Sequence, residues 1–398
     1  MRTAALLGAA LVLLALPAMA GDTTVRVGVL TDLTSFASTS MGEGSVVASQ
    51  IAAQDFGGEV IGKKIEVISA DMQSKPDLAT QIATQWYDTG GVDVIVDVPA
   101  SAAAITIQRM AYEKHKLFLA TVAATTALTG AACTPTGVQW GMDTAAESST
   151  PINALAQEGV RSWFFIMPDF AVGKSLAAVG EKMVQRTGGK LVGTVYHPTN
   201  STDFAQYLLQ AQQSGADAIG VGSIGLDLSN LLKQATEFGV IGSKQKLSAF
   251  LMQLSDIDAV GLQTTQGVYT EQDFYWDDNA ETRAFAKKFY AVRHKMPNAT
   301  QAVNYSGLMA YFTAIKEAGT DDPVKVVAQM RAHPMKKFGE TVHLREDGRL
   351  IDSIGLYQIK SPAESKGQWD YLKPVRRIPG DQVFLSLAEG GCPLVKQQ

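Results

Sequence analysis

The sequence predicts an α/β protein built as two doubly wound parallel-sheet lobes, joined by a hinge that the chain crosses several times. Three observations lead there. Strand and helix signals alternate from residue 24 onward; that alternation runs through twice; and the last third of the chain holds pieces that cannot form a domain of their own. Short β-branched strands separated by helices require right-handed crossovers, and crossovers place helices on both faces of a parallel sheet.

The first series opens with a strand over 25–30 (VRVGVL), a polar loop over 31–45 and a helix over 46–56 that Gly57 and Gly58 stop. A strand over 64–69, a helix opened by Pro76 and Asp77 and running to Tyr87, a strand over 92–98, a helix over 102–114 and a strand over 117–120 complete it. The second series places strands at 163–167, 191–196, 216–221 and 247–252, with helices at 172–187, 203–214 and 228–238 between them. Residues 148–152 lie at the junction. After Gln266 the rhythm changes to a strand over 267–270, an aromatic segment at Phe274, Tyr275 and Trp276, helices over 280–294, 303–318 and 323–332, and β-like stretches at 341–344, 354–359 and 383–385. These late pieces complete the two lobes. Lobe one is expected over 21–143 plus 272–347, and lobe two over 144–271 plus 348–398. Several crossings make a hinge, and a hinge between lobes makes a cleft.

Residues 1–20 read as a secretory signal peptide: Arg2, an apolar stretch from Ala4 to Leu16, then a small-x-small ending at Ala20. The apolar run is shorter than the roughly 20 residues that span a bilayer. Export to the periplasm follows. Apolar residues are 46% and charged residues 18% of the 398, ample for packed cores, and the formal charge of −5 comes without a Lys/Arg cluster, so nucleic acid is not an expected partner. Cys133 and Cys392 are the only cysteines. An even count in an oxidising compartment suggests one disulfide, contributing roughly 4–5 kcal/mol in the chain-entropy model; two separate buried thiols are the alternative.

Catalytic signals are weak. Residues 220–225 (GVGSIG) fit a dinucleotide fingerprint after a strand, but no Asp or Glu occurs over 239–255 to hold a ribose hydroxyl. The five histidines are scattered and no nucleophile–base signature accompanies them. No catalytic residue, metal or cofactor is expected. Asn200 and Asn298 head N-x-S/T glycosylation acceptor patterns, to which no function is attached. What remains is binding chemistry at strand ends, where open α/β sheets hold ligands. Three first-lobe loops are rich in small and hydroxyl residues: 31–36 with Ser35 and Phe36, 99–101 with Ala100 and Ser101, and 121–126 with Ala123, Ala124 and Thr125. Small side chains let backbone N–H groups approach a ligand, and a helix N-terminus favours a carboxylate; plain helix capping by Ser or Thr is the alternative for each loop.

The strand at 25–30, Gly57-Gly58 followed by 61–65 (IGKKI), Asp71 with Pro76-Asp77, the strand at 92–98 and 123–130 (AATTALTG) occur in the order seen in one family. So do 274–279, 346–349, 361–371 and 391–395. Together they resemble the branched-chain amino-acid (Leu/Ile/Val) type of periplasmic substrate-binding protein, with the type I periplasmic-binding fold. The resemblance implies capture of a small molecule in an interlobe cleft, ligand-induced closure, and delivery to an inner-membrane ABC permease and ATPase by a monomeric receptor. It also implies that Ser101 and Ala123, Ala124 and Thr125 hold the ligand from the first lobe, with Phe170 packing on it from the second and Met41 where an aromatic is usual. Ile224 stands in the turn where an aromatic hydroxyl is usual, and Gln253 where amino-acid binders place an acid; Asp256 is the next acid along. A buried ammonium without a counter-charge costs several kcal/mol. Phe36, Phe170, Phe274 and Tyr275 are expected to form an apolar wall. An aromatic or other non-amino carboxylate is therefore the expected ligand. A branched-chain or related amino acid, an amide or urea-like molecule and a polyol are alternatives, as is a sensory ligand-binding domain.

Overall fold

A computed structural model describes residues 23–35 and 37–395. The expected signal peptide and Phe36 lie outside them. The first body is a six-stranded sheet made by β1 (Thr24–Thr31), β2 (Glu59–Val60), β3 (Lys63–Asp71), β4 (Val94–Asp97), β5 (Leu117–Ala120) and β6 (Gly137–Gln139), in the order β2-β3-β1-β4-β5-β6. All pairings are parallel except β2 with β3. Its helices α1 (Gly42–Phe56), α2 (Pro76–Asp88) and α3 (Ser101–Glu113) divide between the faces. Val46 and Ala52 of α1 pack with Val27, Val29 and Val94, while Ala104 and Ile107 of α3 pack with Ile95 and Val98 on the other side.

The chain leaves this sheet through 140–143 and enters α4 (Thr144–Ala156). The second sheet holds β7 (Ser162–Pro168), β8 (Lys190–His197), β9 (Ala218–Val221), β10 (Lys246–Ala249) and β11 (Tyr269–Gln272), with α5 (Ala171–Arg186), α6 (Ala205–Gln213), α7 (Gly225–Glu237), α8 (Leu254–Val260) and α9 (Leu262–Thr265). A second crossing, 273–279, returns to α10 (Ala280–Arg293), α11 (Ala299–Ala318) and α12 (Pro323–Ala332); α10 and α11 pack along α1. A small antiparallel group, β12 (Met335–Lys337), β13 (Glu340–Leu344) and β14 (Leu350–Ile351), precedes the third crossing at 352–353. The chain then adds β15 (Ile354–Ile359) and β16 (Leu372–Ile378) antiparallel to the second sheet, giving β16-β15-β11-β10-β9-β7-β8, and ends in the short turns α13 (Gly380–Val383) and α14 (Leu387–Gly390).

Two elements were not expected, and one expectation is corrected. Residues 148–152, expected at the junction of the two series, are the middle of α4, which is buried almost throughout and carries Pro151 inside it. A helix covered on all sides shows no amphipathic period, so nothing but the Asp143 cap, which accepts from the Ala145 and Ala146 N–H groups at 3.0 and 2.9 Å, marks it in the sequence. Residues 383–385 are not a strand: Pro379 opens a helical turn there. The edge strand β16, which carries Pro374 and the charged Lys373, Arg376 and Arg377, was not foreseen.

Buried ion pairs stitch the crossings. Lys337 Nζ donates to Asp273 Oδ2 at 2.9 Å on the second crossing and to Asp352 Oδ2 at 2.5 Å on the third, all three side chains being at most 3% exposed. Burial works against the charge on Lys337, but the two carboxylates outweigh it and raise its pKa. Arg349 lies 3.7 Å from Asp143 of the first crossing, and Gln139 bridges to Arg349 as a parallel neighbour. Gly141 is packed so closely that a Cβ would lie 1.8 Å from the Thr121 carbonyl oxygen. Cys133 and Cys392 form the expected disulfide, tying the loop before β6 to the C-terminal segment that packs on α4.

Candidate functional site

In each sheet the strand order reverses at one place, and a crevice at such a reversal is where α/β sheets bind ligands. In the first it lies between β1 and β4, which feed α1 and α3 on opposite faces; in the second between β7 and β9, which feed α5 and α7. The residues that begin these four helices are Met41, Ala100, Phe170 and Ile224, and none provides a side-chain cap. Three of the four side chains have no hydrogen-bonding atom, and the Met41 thioether is at most a weak acceptor. Their first-turn N–H groups are left as donors for something else. Asp143, Asn279 and Asp322 cap α4, α10 and α12, although Lys75 and Phe204 also leave α2 and α6 without a side-chain cap.

The backbone is strained at the end of β4, one of these four strands, and after β10 in the second sheet. Asp97 and Val98 take φ of 76° and 58° after β4, and Leu251 takes 68° after β10. Left-handed conformations cost non-glycine residues of order 1–3 kcal/mol each and gather at functional sites. Leu251 is held by its N–H donating to Glu271 Oε1 at 2.9 Å. The Asp97 N–H donates to Thr121 Oγ1 at 3.0 Å, and that hydroxyl donates to Asn304 Oδ1 at 2.7 Å. Burial pushes the Asp97 carboxyl up to about 7; the nearby Thr31 and Ser45 hydroxyls pull it down without completing well-directed bonds, and Asp32 adds repulsion.

Thr144 joins the two switch points. Its N–H donates to the Ala124 carbonyl at 2.8 Å, and its hydroxyl shares a 2.8 Å hydrogen bond with Ser175 of α5. Ala123 and Thr125 are fixed from below, because Gln139 Nε2 donates to both carbonyls at 2.9 and 3.1 Å. Ser35 donates its N–H to Asp32 Oδ1 at 3.0 Å and its hydroxyl to Ser74 Oγ at 2.7 Å. Ala100, Ser101, Phe170 and Ile224 are half-buried at their helix starts. Gln253 begins α8, and its N–H donates to Asp256 Oδ2 at 2.8 Å, so that carboxylate serves the helix end; burial raises its pKa to about 6. Gln253 Oε1 is buried without a hydrogen-bond partner among the described residues.

Phe274 and Tyr275 do not form the expected wall. Phe274 packs in a cluster with Val47, Ile51, Phe285 and Phe289, and its ring centroid is 4.8 Å from that of Phe338. Tyr275 belongs to the second-sheet core and donates its hydroxyl to the Trp369 carbonyl at 3.0 Å. A groove of about 990 Å³ beside the hinge touches Phe274 but no other predicted ligand residue.

Two arrangements escaped sequence reading because their members are far apart in the chain. His197 Nδ1 lies 2.8 Å from the Pro198 carbonyl, which can only accept, so Nε2 accepts from Ser223 Oγ at 2.8 Å. Both side chains are fully buried and the imidazole is oriented by a carbonyl rather than a carboxylate, so the pair fixes the loop before Ile224. Glu147 of α4 and Glu271 of β11 are both buried, and burial together with mutual repulsion raises the Glu147 pKa; one oxygen of each lacks a partner among the described residues.

No helix among the described residues is long and apolar enough to cross a membrane, and no group of His, Cys, Asp and Glu among them could hold a metal ion. Residues 24–368 match the family model described as periplasmic binding protein. No curated protein matches significantly. Among solved structures, a periplasmic binding protein from Burkholderia mallei is 38% identical, with 94% of this chain and 100% of that one covered and a TM-score of 0.87. A branched chain amino acid ABC transporter periplasmic ligand-binding protein from Burkholderia xenovorans is 37% identical over 93% and 99%, with a TM-score of 0.88. A solute binding protein from Rhodopseudomonas palustris in complex with 3,4-dihydroxy benzoic acid is 21% identical over 90% and 98% with a TM-score of 0.80, a likeness of fold. This chain belongs to the periplasmic binding proteins, of the type I, branched-chain amino-acid ABC-transporter kind.

Proposed function

We propose that the protein is an exported, monomeric receptor that captures a small carboxylate-bearing molecule, foremost an aromatic acid, between its two switch points and delivers it to an inner-membrane ABC permease and ATPase without transforming it. The observation that carries this reading is the set of four helix starts lacking side-chain caps at Met41, Ala100, Phe170 and Ile224. Backbone donors left open at helix N-termini suit an anionic group, and the half-buried Phe170 ring suits an apolar body. The lobes follow the expected division with two bounds shifted: Gln272 stays with lobe two as the end of β11, and 348–351 stay with lobe one, where β14 pairs with β13 and Leu350 joins the first core. Ligand contacts from both favour the closed form, since that form alone satisfies them all.

A second reading, an amino-acid ligand, is favoured by Glu147 and Glu271. Two buried carboxylates with unpartnered oxygens would welcome an ammonium, whereas Gln253 is neutral and Asp256 is occupied. A thermal-shift screen of the mature protein against aromatic acids, branched-chain amino acids, short amides and polyols separates the readings. A rise in melting temperature with benzoate-type acids alone supports the first. A rise with leucine or valine alone rejects it in favour of the second.

A further inference from the structure

Asn298 is 2% exposed, yet every polar group it carries is engaged. Its N–H donates to Gln301 Oε1 at 3.0 Å, and its Oδ1 accepts the Ser255 N–H at 2.9 Å. Its Nδ2 donates to Ser255 Oγ at 3.1 Å and lies 3.4 and 3.3 Å from the Thr39 and Ser40 carbonyls. Thr300 and Gln301 of the same helix start donate to the Ser40 and Met41 carbonyls at 2.6 and 3.1 Å.

These partners come from different bodies. Thr39, Ser40 and Met41 belong to the loop between β1 and α1, beside the candidate ligand residues Ser35 and Met41, and α11 packs along α1. Ser255 is in the first turn of α8, two residues after Gln253, and α8 is part of the second-sheet core through Leu254 and Ile257. None of these residues lies on the crossings at 140–143, 273–279 and 352–353. One buried amide thus joins a first-body ligand loop to a second-body ligand residue where no backbone connects them. The glycosylation pattern that Asn298 heads is closed by the same burial.

We propose that Asn298 is a positioning residue, an interlobe latch that, anchored on the loop over 39–41, holds the start of α8 against it when the cleft closes and must release α8 for it to open. Opening would strip the amide of two interlobe hydrogen bonds and hand them to water. At about 1 kcal/mol net per bond, with a range of half to one and a half, losing both shifts the closed-to-open ratio by roughly 5- to 150-fold. The inference rests on the reading that ligand lies in the cleft, but its first test needs no ligand.

Asn298→Ser keeps a good helix cap for α11 while removing the bridge, so it separates the latch from the helix start. Spin labels at Glu113→Cys and Glu237→Cys, both exposed, report the interlobe distance in the ligand-free mature protein. The expected result is a distribution moved to longer distance in Asn298→Ser and Asn298→Ala, with a smaller move in Ser255→Ala, which keeps the bond from the Ser255 backbone. Circular dichroism of each variant should match the parent. An unchanged distribution in a folded Asn298→Ser variant overturns the latch. The second readout is dissociation of leucine and of 4-hydroxybenzoate, whichever raises the melting temperature, with faster release expected in Asn298→Ser and association little changed. A moved distance distribution with neither probe binding would sink the cleft reading for those ligands and leave the latch standing.

Discussion

Replacing Lys337 with Met removes the cation that bridges the second and third crossings. The side chains are of similar length, so packing is kept while Asp273 and Asp352 are left facing each other in a buried place, each at most 3% exposed. Breaking a buried pair by deleting one partner costs about 3–5 kcal/mol. Protonation sets an independent scale: neutralising one carboxyl of ordinary pKa 3.8 at pH 7 costs about 4 kcal/mol. The two agree, and correspond to a fall in melting temperature of roughly 6–20 °C for a lobe of this size. The sign with pH follows. Burial already holds the Asp352 carboxyl above its ordinary 3.8 against the pull of Lys337, and without that cation it rises further, so the variant loses stability as pH rises and its deficit should shrink toward about 2 kcal/mol at pH 5. Adding Asp273→Asn and Asp352→Asn should recover most of the loss, because no unpaired charge then remains. Thermal unfolding at pH 5 and pH 7 measures all of this. A Lys337→Met variant as stable as the parent at pH 7, or one whose deficit does not shrink at pH 5, would refute the balance of charges drawn for the hinge.

Other outcomes follow from the same geometry. Asp97 is buried with its pKa raised to about 7, so its ionisation destabilises the fold progressively as pH rises from about 4 to 7; Asp97→Asn should gain roughly 2–3 kcal/mol on the parent between pH 5 and pH 8 in urea unfolding. Phe170→Ala should weaken binding of the best ligand in the thermal-shift panel by roughly 5- to 150-fold by calorimetric titration, with little change in melting temperature, because the ring is half-buried at a helix start. Gly141→Ala should cost about 3 kcal/mol or more in thermal unfolding, since its Cβ would sit 1.8 Å from the Thr121 carbonyl oxygen and backbone cannot yield cheaply.

The fold was legible where local chemistry repeats. Short β-branched strands such as β1 and β4, and helices with a buried stripe such as α7, announce themselves by period and by the glycines that end them. α4 did not, because burial on every side erases the period, and β16 did not, because an edge strand that carries a proline and adjacent exposed arginines reads as a loop. At the candidate site, Ala100 was named from its small-residue loop and Met41, Phe170 and Ile224 from the family resemblance; that all four begin helices was not read, because the expected helices start two to five residues later. Phe274 and Tyr275 were misplaced for the converse reason. Aromatic content says that a side chain packs, not against what, and tertiary packing drew both into cores. Glu147 with Glu271, His197 with Ser223, and Asn298 with Ser255 are pairs between distant segments, and no spacing in one sequence predicts them.

The central claim is that ligand is held between the two switch points and that the lobes close upon it. Small-angle scattering of the mature protein, with and without a saturating amount of the ligand that raises its melting temperature most, tests it directly. A smaller radius of gyration in the bound state is the predicted result, and its loss in the Phe170→Ala variant at the same ligand concentration should accompany it. A ligand that binds and stabilises the protein while leaving the radius of gyration unchanged would contradict the account.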